Sequence, residues 1–152
     1  MLTSAEVLSL IPQQRPFRFI DRLVEINETV TVGEYTFRAD ENFYEGHFPG
    51  NPVTPGVILV ETMCQTGLVA MGIYLLGLEQ PLEEVAKTIT LFTDAEVEFA
   101  RVVPPGATVR VTAQKLFWRR RKLKSQVQLT LADGTYVAGG TVSGMGVSRE
   151  QF

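Results

Sequence analysis

The sequence predicts an α+β fold in which an antiparallel β-sheet wraps around one long central α-helix. Three observations predict it. Residues 56–76 are apolar on almost every side of a helix, and such a helix must be sheathed by the rest of the fold. The second half alternates apolar and polar residues with a period of two, as antiparallel strands with one buried face do. Pro104-Pro105-Gly106 and Ala132-Asp133-Gly134 separate those segments as turns, and the Asp-Gly pair suits a tight hairpin.

Each element has a local reason. Thr3 caps a short helix, Ser4 to Leu10, with Glu6 as its capping-box partner. Pro12 and Pro16 then favour extended chain. Phe17 to Glu25 reads as a strand, and Val30 to Phe37, rich in Thr, Val, Tyr and Phe, as a second. From Glu45 to Gly56 three prolines and three glycines predict a rigid irregular loop. The apolar helix follows. Gly67, Gly72 and Gly77 each cost about 1 kcal/mol relative to alanine in its interior. They predict close packing against a neighbouring backbone, or an early end near Gly77. Ala95, Val97 and Phe99, then Val109, Val111 and Ala113, then Val127, Leu129 and Leu131 are the expected inward faces of three strands, and Tyr136 to Val142 closes the set.

A length of 152 residues without a linker or repeat suits a single domain over 1–152. The net charge of −3 argues against a nucleic-acid coat or a polycationic membrane surface. The N-terminus lacks a secretory pattern. Pro55 to Leu78 is long enough to span a membrane, but Glu61, Thr62, Gln65 and Thr66 interrupt it, and a carboxylate there costs about 2.5–3.5 kcal/mol. A buried core helix is expected instead. One cysteine and one histidine exclude an internal disulfide and a Cys/His zinc site. The lone cysteine suits a reducing compartment, and the expected location is the cytoplasm.

The residues that can carry chemistry cluster around the loop and the start of the helix. His47 stands in Gly46-His47-Phe48-Pro49-Gly50-Asn51-Pro52, where prolines and glycines hold the ring in place. Rigid placement of an imidazole is what general base catalysis needs. Glu61 lies on the apolar helix, where burial favours the neutral acid. A neutral carboxylic acid beside a neutral imidazole forms an acid/base pair without metal or cofactor. Gln65 shares the face of Glu61 at i+4 and can hold it by hydrogen bond. Gly56 opens the helix, so a substrate carbonyl can approach its free N–H closely. Cys64, mid-helix, reads as a small buried apolar residue. Arg119-Arg120-Arg121-Lys122-Leu123-Lys124 holds five basic residues in six. It is either a solvated hairpin or a dock for an acidic partner.

These residues resemble the FabZ-type β-hydroxyacyl-acyl-carrier-protein dehydratases of the hotdog fold. The family signature reads roughly H-F-P-G-x-P-x-x-P-G-V followed by E-x-x-x-Q. It is matched by His47-Phe48-Pro49-Gly50-Asn51-Pro52-Val53-Thr54-Pro55-Gly56-Val57 and by Glu61 with Gln65. Pro16-Phe17 and Asp21-Arg22 resemble the early P-F-x-x-x-D-R motif, and Phe99 to Gly106 resembles the later F-R-R-x-V-x-P-G. The likeness spans about residues 8 to 142. It implies dehydration of 3-hydroxyacyl carrier thioesters to trans-2-enoyl thioesters, in fatty acid or specialised (for instance polyene) acyl-chain biosynthesis. His47 and Glu61 are the implied catalytic pair, and Gly56, Val57 and Gln65 the implied positioning residues. No metal or cofactor is implied. The implied partners are an acyl carrier protein and a second copy of the chain sharing each site, with three such dimers assembling in many members. A hotdog thioesterase or a non-catalytic acyl-carrier-binding subunit is the alternative. The chain departs from the family at Gln13-Gln14-Arg15, at Glu98 and at Thr54, which bear on chain-length preference and carrier recognition.

Overall fold

A computed structural model describes residues 1–151. The order is α1 (Ser4–Leu10), β1 (Arg22–Ile26), β2 (Val30–Thr36), a 3-10 turn (Asn42–Tyr44), the central helix, α4 (Leu82–Ala86), β3 (Thr88–Phe99), β4 (Thr108–Arg119), β5 (Lys122–Leu131) and β6 (Tyr136–Ser148). The central helix runs Gly56–Glu79 in three parts: α2 (Gly56–Cys64), a π-helical segment (Gln65–Ala70) and α3 (Met71–Glu79). The strands form one antiparallel sheet in the order β1-β2-β4-β5-β6-β3.

The sheet curls around the central helix, whose residues from Thr62 to Leu76 are all buried. Val109, Val111, Ala113, Val127 and Leu129 face it with at most 2% exposure, as their alternation predicts. By length and composition the helix can cross a membrane, but 67% of its apolar window is buried inside this fold, as a core helix is. The Thr3–Glu6 capping box is present in both directions.

Two expectations are corrected, at Phe17 to Ile20 and at β3, and one feature is new. Phe17 to Ile20 is not strand, because the amide of Gln65 holds this segment's backbone instead of a neighbouring strand. The helix ends at Glu79, two residues past Gly77, in keeping with the expected end near that glycine. Leu2 packs against Gly77, 2.7 Å from where a Cβ would lie, as close packing at that glycine predicts. The π-helical segment was not expected. There the Ser125 hydroxyl of β5 donates to the Gly67 carbonyl at 2.7 Å, a donor from outside the helix ladder. Finally, β3 does not bury one face: Ala95 is exposed, Phe99 is 48% exposed and only Val97 is half-buried. This strand is a terminal one, paired with β6 alone.

Candidate active site

The loop before the helix holds His47 by backbone geometry. Phe48-Pro49-Gly50-Asn51 closes a turn in which Asn51 N–H donates to the Phe48 carbonyl at 2.8 Å, with Gly50 at φ 73°. Proline at the second position and glycine with positive φ at the third are what a type II turn requires. His47 N–H donates to Phe43 O at 3.1 Å, and Val53 N–H donates to His47 O at 2.8 Å. The imidazole stacks on the Phe48 ring at 4.2 Å.

The side-chain bond is the informative one. His47 Nδ1 lies 2.8 Å from the Val53 carbonyl oxygen. A carbonyl can only accept, so Nδ1 carries the proton. In the neutral ring Nε2 is then left with its lone pair free, the state a general base needs.

Glu61 sits half-buried in the second turn of α2. Burial pushes its carboxyl above the ordinary value of 4.5, and the hydrogen bond from Gln65 opposes that rise. Gln65, fully buried, uses its whole amide: Nε2 donates to Glu61 Oε1 and to Phe17 O, each at 2.9 Å, and Oε1 accepts from Phe19 N–H at 2.7 Å. Its role is thus twofold, steadying Glu61 and tying the Phe17–Phe19 segment to the helix. The spacing from Glu61 foretold the first bond; nothing local in the sequence foretold the second, which joins residues 46 and 48 positions apart.

At the helix start, Pro55 is the N-cap in extended geometry. Ile58 and Leu59 donate the first bonds to the Pro55 carbonyl, so the N–H groups of Gly56 and Val57 precede the helix ladder. The Phe99 ring covers Gly56, 3.3 Å from where a Cβ would lie. The Val57 side chain is 76% exposed beside the helix start. Thr54, a departure from the family pattern, is buried and its hydroxyl pairs with that of Tyr44. Burial, and then the neighbouring Glu61, push the Cys64 thiol up to about 12, which disfavours a thiolate at neutral pH.

Gln65 and Glu61 are therefore brought together, with Gly56 and Val57 on the same helix. Among the described residues no hydrogen bond or ion pair joins His47 to Glu61 within one chain. No cluster of three or more His, Cys, Asp or Glu suited to a metal occurs among them either.

A family model described as the FabA-like domain matches residues 11–142. A 3-hydroxyacyl-[acyl-carrier-protein] dehydratase FabZ of Chloroflexus aggregans is 41% identical over 135 residues, 88% of each chain. The FabZ of Herpetosiphon aurantiacus is 38% identical over 92% of this chain and 94% of its own. Among solved structures, a dehydratase heterocomplex of Xenorhabdus doucetiae aligns with a TM-score of 0.75 at 12% identity, over 99% of this chain and 95% of that one. A thioesterase of Haemophilus influenzae aligns with a TM-score of 0.67 at 14% identity, over 97% and 92%. These two likenesses speak to the fold alone. With the signature loop, the Glu61–Gln65 pair and the wrapped helix all in place, this chain belongs to the FabA-like, hotdog-fold family that includes the FabZ dehydratases.

Proposed function

We propose that this protein removes water from 3-hydroxyacyl thioesters carried by an acyl carrier protein, giving trans-2-enoyl thioesters in acyl-chain biosynthesis. The observation that carries the reading is the complementary pair of side chains: the Val53 carbonyl takes the hydrogen bond of His47 Nδ1–H and leaves Nε2 as the nitrogen that can accept a proton, and burial raises the Glu61 carboxyl toward its proton-donating form. A proton acceptor and a proton donor of these kinds suit an elimination.

The step balances as follows. His47 Nε2 takes the C2 proton, and the C–H electron pair becomes the C2–C3 double bond. The C3–O bond breaks, and Glu61 gives its proton to the departing hydroxyl, which leaves as water. The Gly56 N–H donates to the thioester oxygen as charge develops there. Transfer of the proton from His47 to the Glu61 carboxylate through solvent resets the pair.

Each site takes His47 from one chain and Glu61 from a second copy. The unpaired edge of β3 supports this: twelve residues long, it exposes Leu91, Phe92 and Phe99 at 40–49%, surface that a soluble monomer seldom leaves open. Phe99 also covers Gly56, which puts that edge beside the helix start. At the β4–β5 turn the side chains of Arg119 and Arg120 are exposed, and no ion pair engages Arg119 to Lys124 among the described residues. This basic tip on an acidic protein fits an acidic carrier.

The test is a mass-spectrometric assay on a panel of 3-hydroxyacyl carriers. Each product is expected lighter by one water with the thioester intact; free acid and free thiol would refute dehydration in favour of hydrolysis. His47→Ala and Glu61→Gln should each abolish most turnover. Mixing the two inactive chains should restore part of it, and no recovery after proven subunit exchange would refute shared sites.

A further inference from the structure

The loop that carries His47 is closed by more than the contacts between His47 and Val53. The 3-10 turn Asn42–Tyr44 leads into it and Thr54 leaves it, and these two ends meet through their side chains. The Tyr44 and Thr54 hydroxyls are hydrogen-bonded to each other, ten residues apart. Both residues are buried, Tyr44 at 5% and Thr54 at 3% exposure. Neither hydroxyl has another protein partner among the described residues.

Packing does not account for the pair. Valine has almost the shape of threonine, and phenylalanine almost that of tyrosine. Replacing both partners of a buried hydrogen bond by apolar groups of like shape is nearly neutral for stability. Thr54 is also a position at which the chain departs from its family. What the pair does hold is the peptide unit between Val53 and Thr54. Its carbonyl, on Val53, accepts from His47 Nδ1–H at 2.8 Å, and its N–H, on Thr54, donates to the Val103 carbonyl at 3.0 Å. The two groups of a trans peptide point in opposite directions. The bond to the fully buried Val103 therefore turns the Val53 carbonyl toward the imidazole. The Thr54 side chain is the remaining handle on that peptide unit, and Tyr44 holds it. Tyr44 is itself fixed to the element from which the histidine hangs: its neighbour Phe43 accepts the His47 N–H at 3.1 Å and packs edge-on against the Tyr44 ring at 4.7 Å.

We propose that the hydroxyl pair of Tyr44 and Thr54 positions the base. By holding the Val53–Thr54 peptide against the His47 ring, it keeps the imidazole proton on Nδ1 and leaves Nε2 open to a substrate proton. The two are positioning residues, which touch no reacting atom. The assignment rests on the dehydratase reading above and deepens it.

The experiment uses tag-free protein labelled with heavy nitrogen in histidine. His47 is the only histidine, so its two ring nitrogens are read without further assignment. Their chemical shifts at the alkaline end of a titration, where the ring is neutral, give the tautomer. Wild type should be almost wholly protonated on Nδ1. Thr54→Val and Tyr44→Phe should each give a mixture of the two tautomers. On carrier substrates each should lower kcat by about tenfold, short of the roughly hundredfold that an ångström of misplacement costs, with KM within about twofold of wild type. The double variant should be no worse than either single one, because both remove the same bond, and Thr54→Ser should restore wild-type values. A wild-type tautomer in the folded single variants overturns the proposal, and so does a shifted tautomer in an enzyme whose kcat is unchanged. Should Thr54→Val not fold, Tyr44→Phe decides alone. The spectrum needs no turnover, which separates the two readings. A shifted tautomer in a protein that dehydrates no carrier upholds the positioning of the ring and refutes the dehydratase reading. Wild-type tautomers in variants of an active dehydratase overturn the positioning alone.

Discussion

Replacing Gln65 with leucine tests how the helix, the N-terminal segment and the acid are tied together. Leucine keeps most of the volume, so the cavity contribution is small. What is lost is the amide: Phe19 N–H, Phe17 O and Glu61 Oε1 each lose a partner. Phe19 is 1% exposed, so its orphaned N–H cannot turn to water. An unsatisfied buried donor costs about 1–3 kcal/mol. Phe17 is 49% exposed and its carbonyl recovers solvent more readily, so the total should lie near 2–4 kcal/mol by the same scale. For a domain of this size that lowers the melting temperature by about 4–16 °C. The measurement is calorimetry at one fixed protomer concentration, since self-association shifts apparent stability. Amide exchange at Phe19 should accelerate in the same variant. The Glu61 carboxyl, freed of the bond that favours its charged form, should titrate still further above 4.5. A melting temperature within a degree of wild type, with Phe19 still protected from exchange, would refute the reasoning.

Further outcomes follow from other contacts. Gly67→Ala, forced against Val127 and Ala113, should destabilise by about 1–3 kcal/mol in denaturant titrations despite its better helix propensity. Burial raises the Glu61 pKa, so the folded protein holds that proton more tightly than the unfolded chain does. This stabilises at pH below 4.5 and is lost as pH rises through the folded value, so the stability of Glu61→Gln relative to wild type should increase from pH 4.5 upward in pH-dependent melting. Glu34 has the opposite sign. Hydrogen bonds from Arg110 and Arg22 hold its pKa low, its contribution is lost as pH falls, and Glu34→Gln should flatten the acid side of the melting curve. Arg119→Glu with Arg120→Glu should raise KM for the carrier substrate at low salt and leave kcat and turnover of a small pantetheine thioester unchanged, an effect that shrinks as salt is added.

Much of the molecule was legible because its signals are local or strictly periodic. The Thr3–Glu6 capping box, the Val109–Ala113 and Val127–Leu129 inward faces and the breaker-rich loop each follow from residues within a few positions of one another. The helix was legible as an apolar run, but its π-helical segment was not, because Ser125 acts on Gly67 from 58 positions away. The irregular backbone of Phe17 to Ile20 has the same kind of cause. Its residue types suit a strand, and a distant amide overrides them. His47 and Glu61 stood out because a lone histidine among prolines and a carboxylate on an apolar helix both violate the surrounding pattern, and such violations gather where function sets local stability aside.

Ala95, Val97 and Phe99 alternate as a buried face should, and yet in a single chain Ala95 and Phe99 stay in water. The period-two rule reports that a face is covered, not by what. An unmet burial on a terminal strand of twelve residues therefore counts as evidence for a covering surface outside the chain. Phe99, the last residue of that strand, lies over Gly56, so whatever covers the strand also approaches the helix start. A second copy fits both needs at once. It would bury the apolar edge and bring a second His47 loop toward the half-buried Glu61, which has no His47 partner within its own chain among the described residues. On this view the strand whose apolar face stays uncovered and the acid without a base in reach of a hydrogen bond are one feature of the molecule, seen from its packing and from its chemistry.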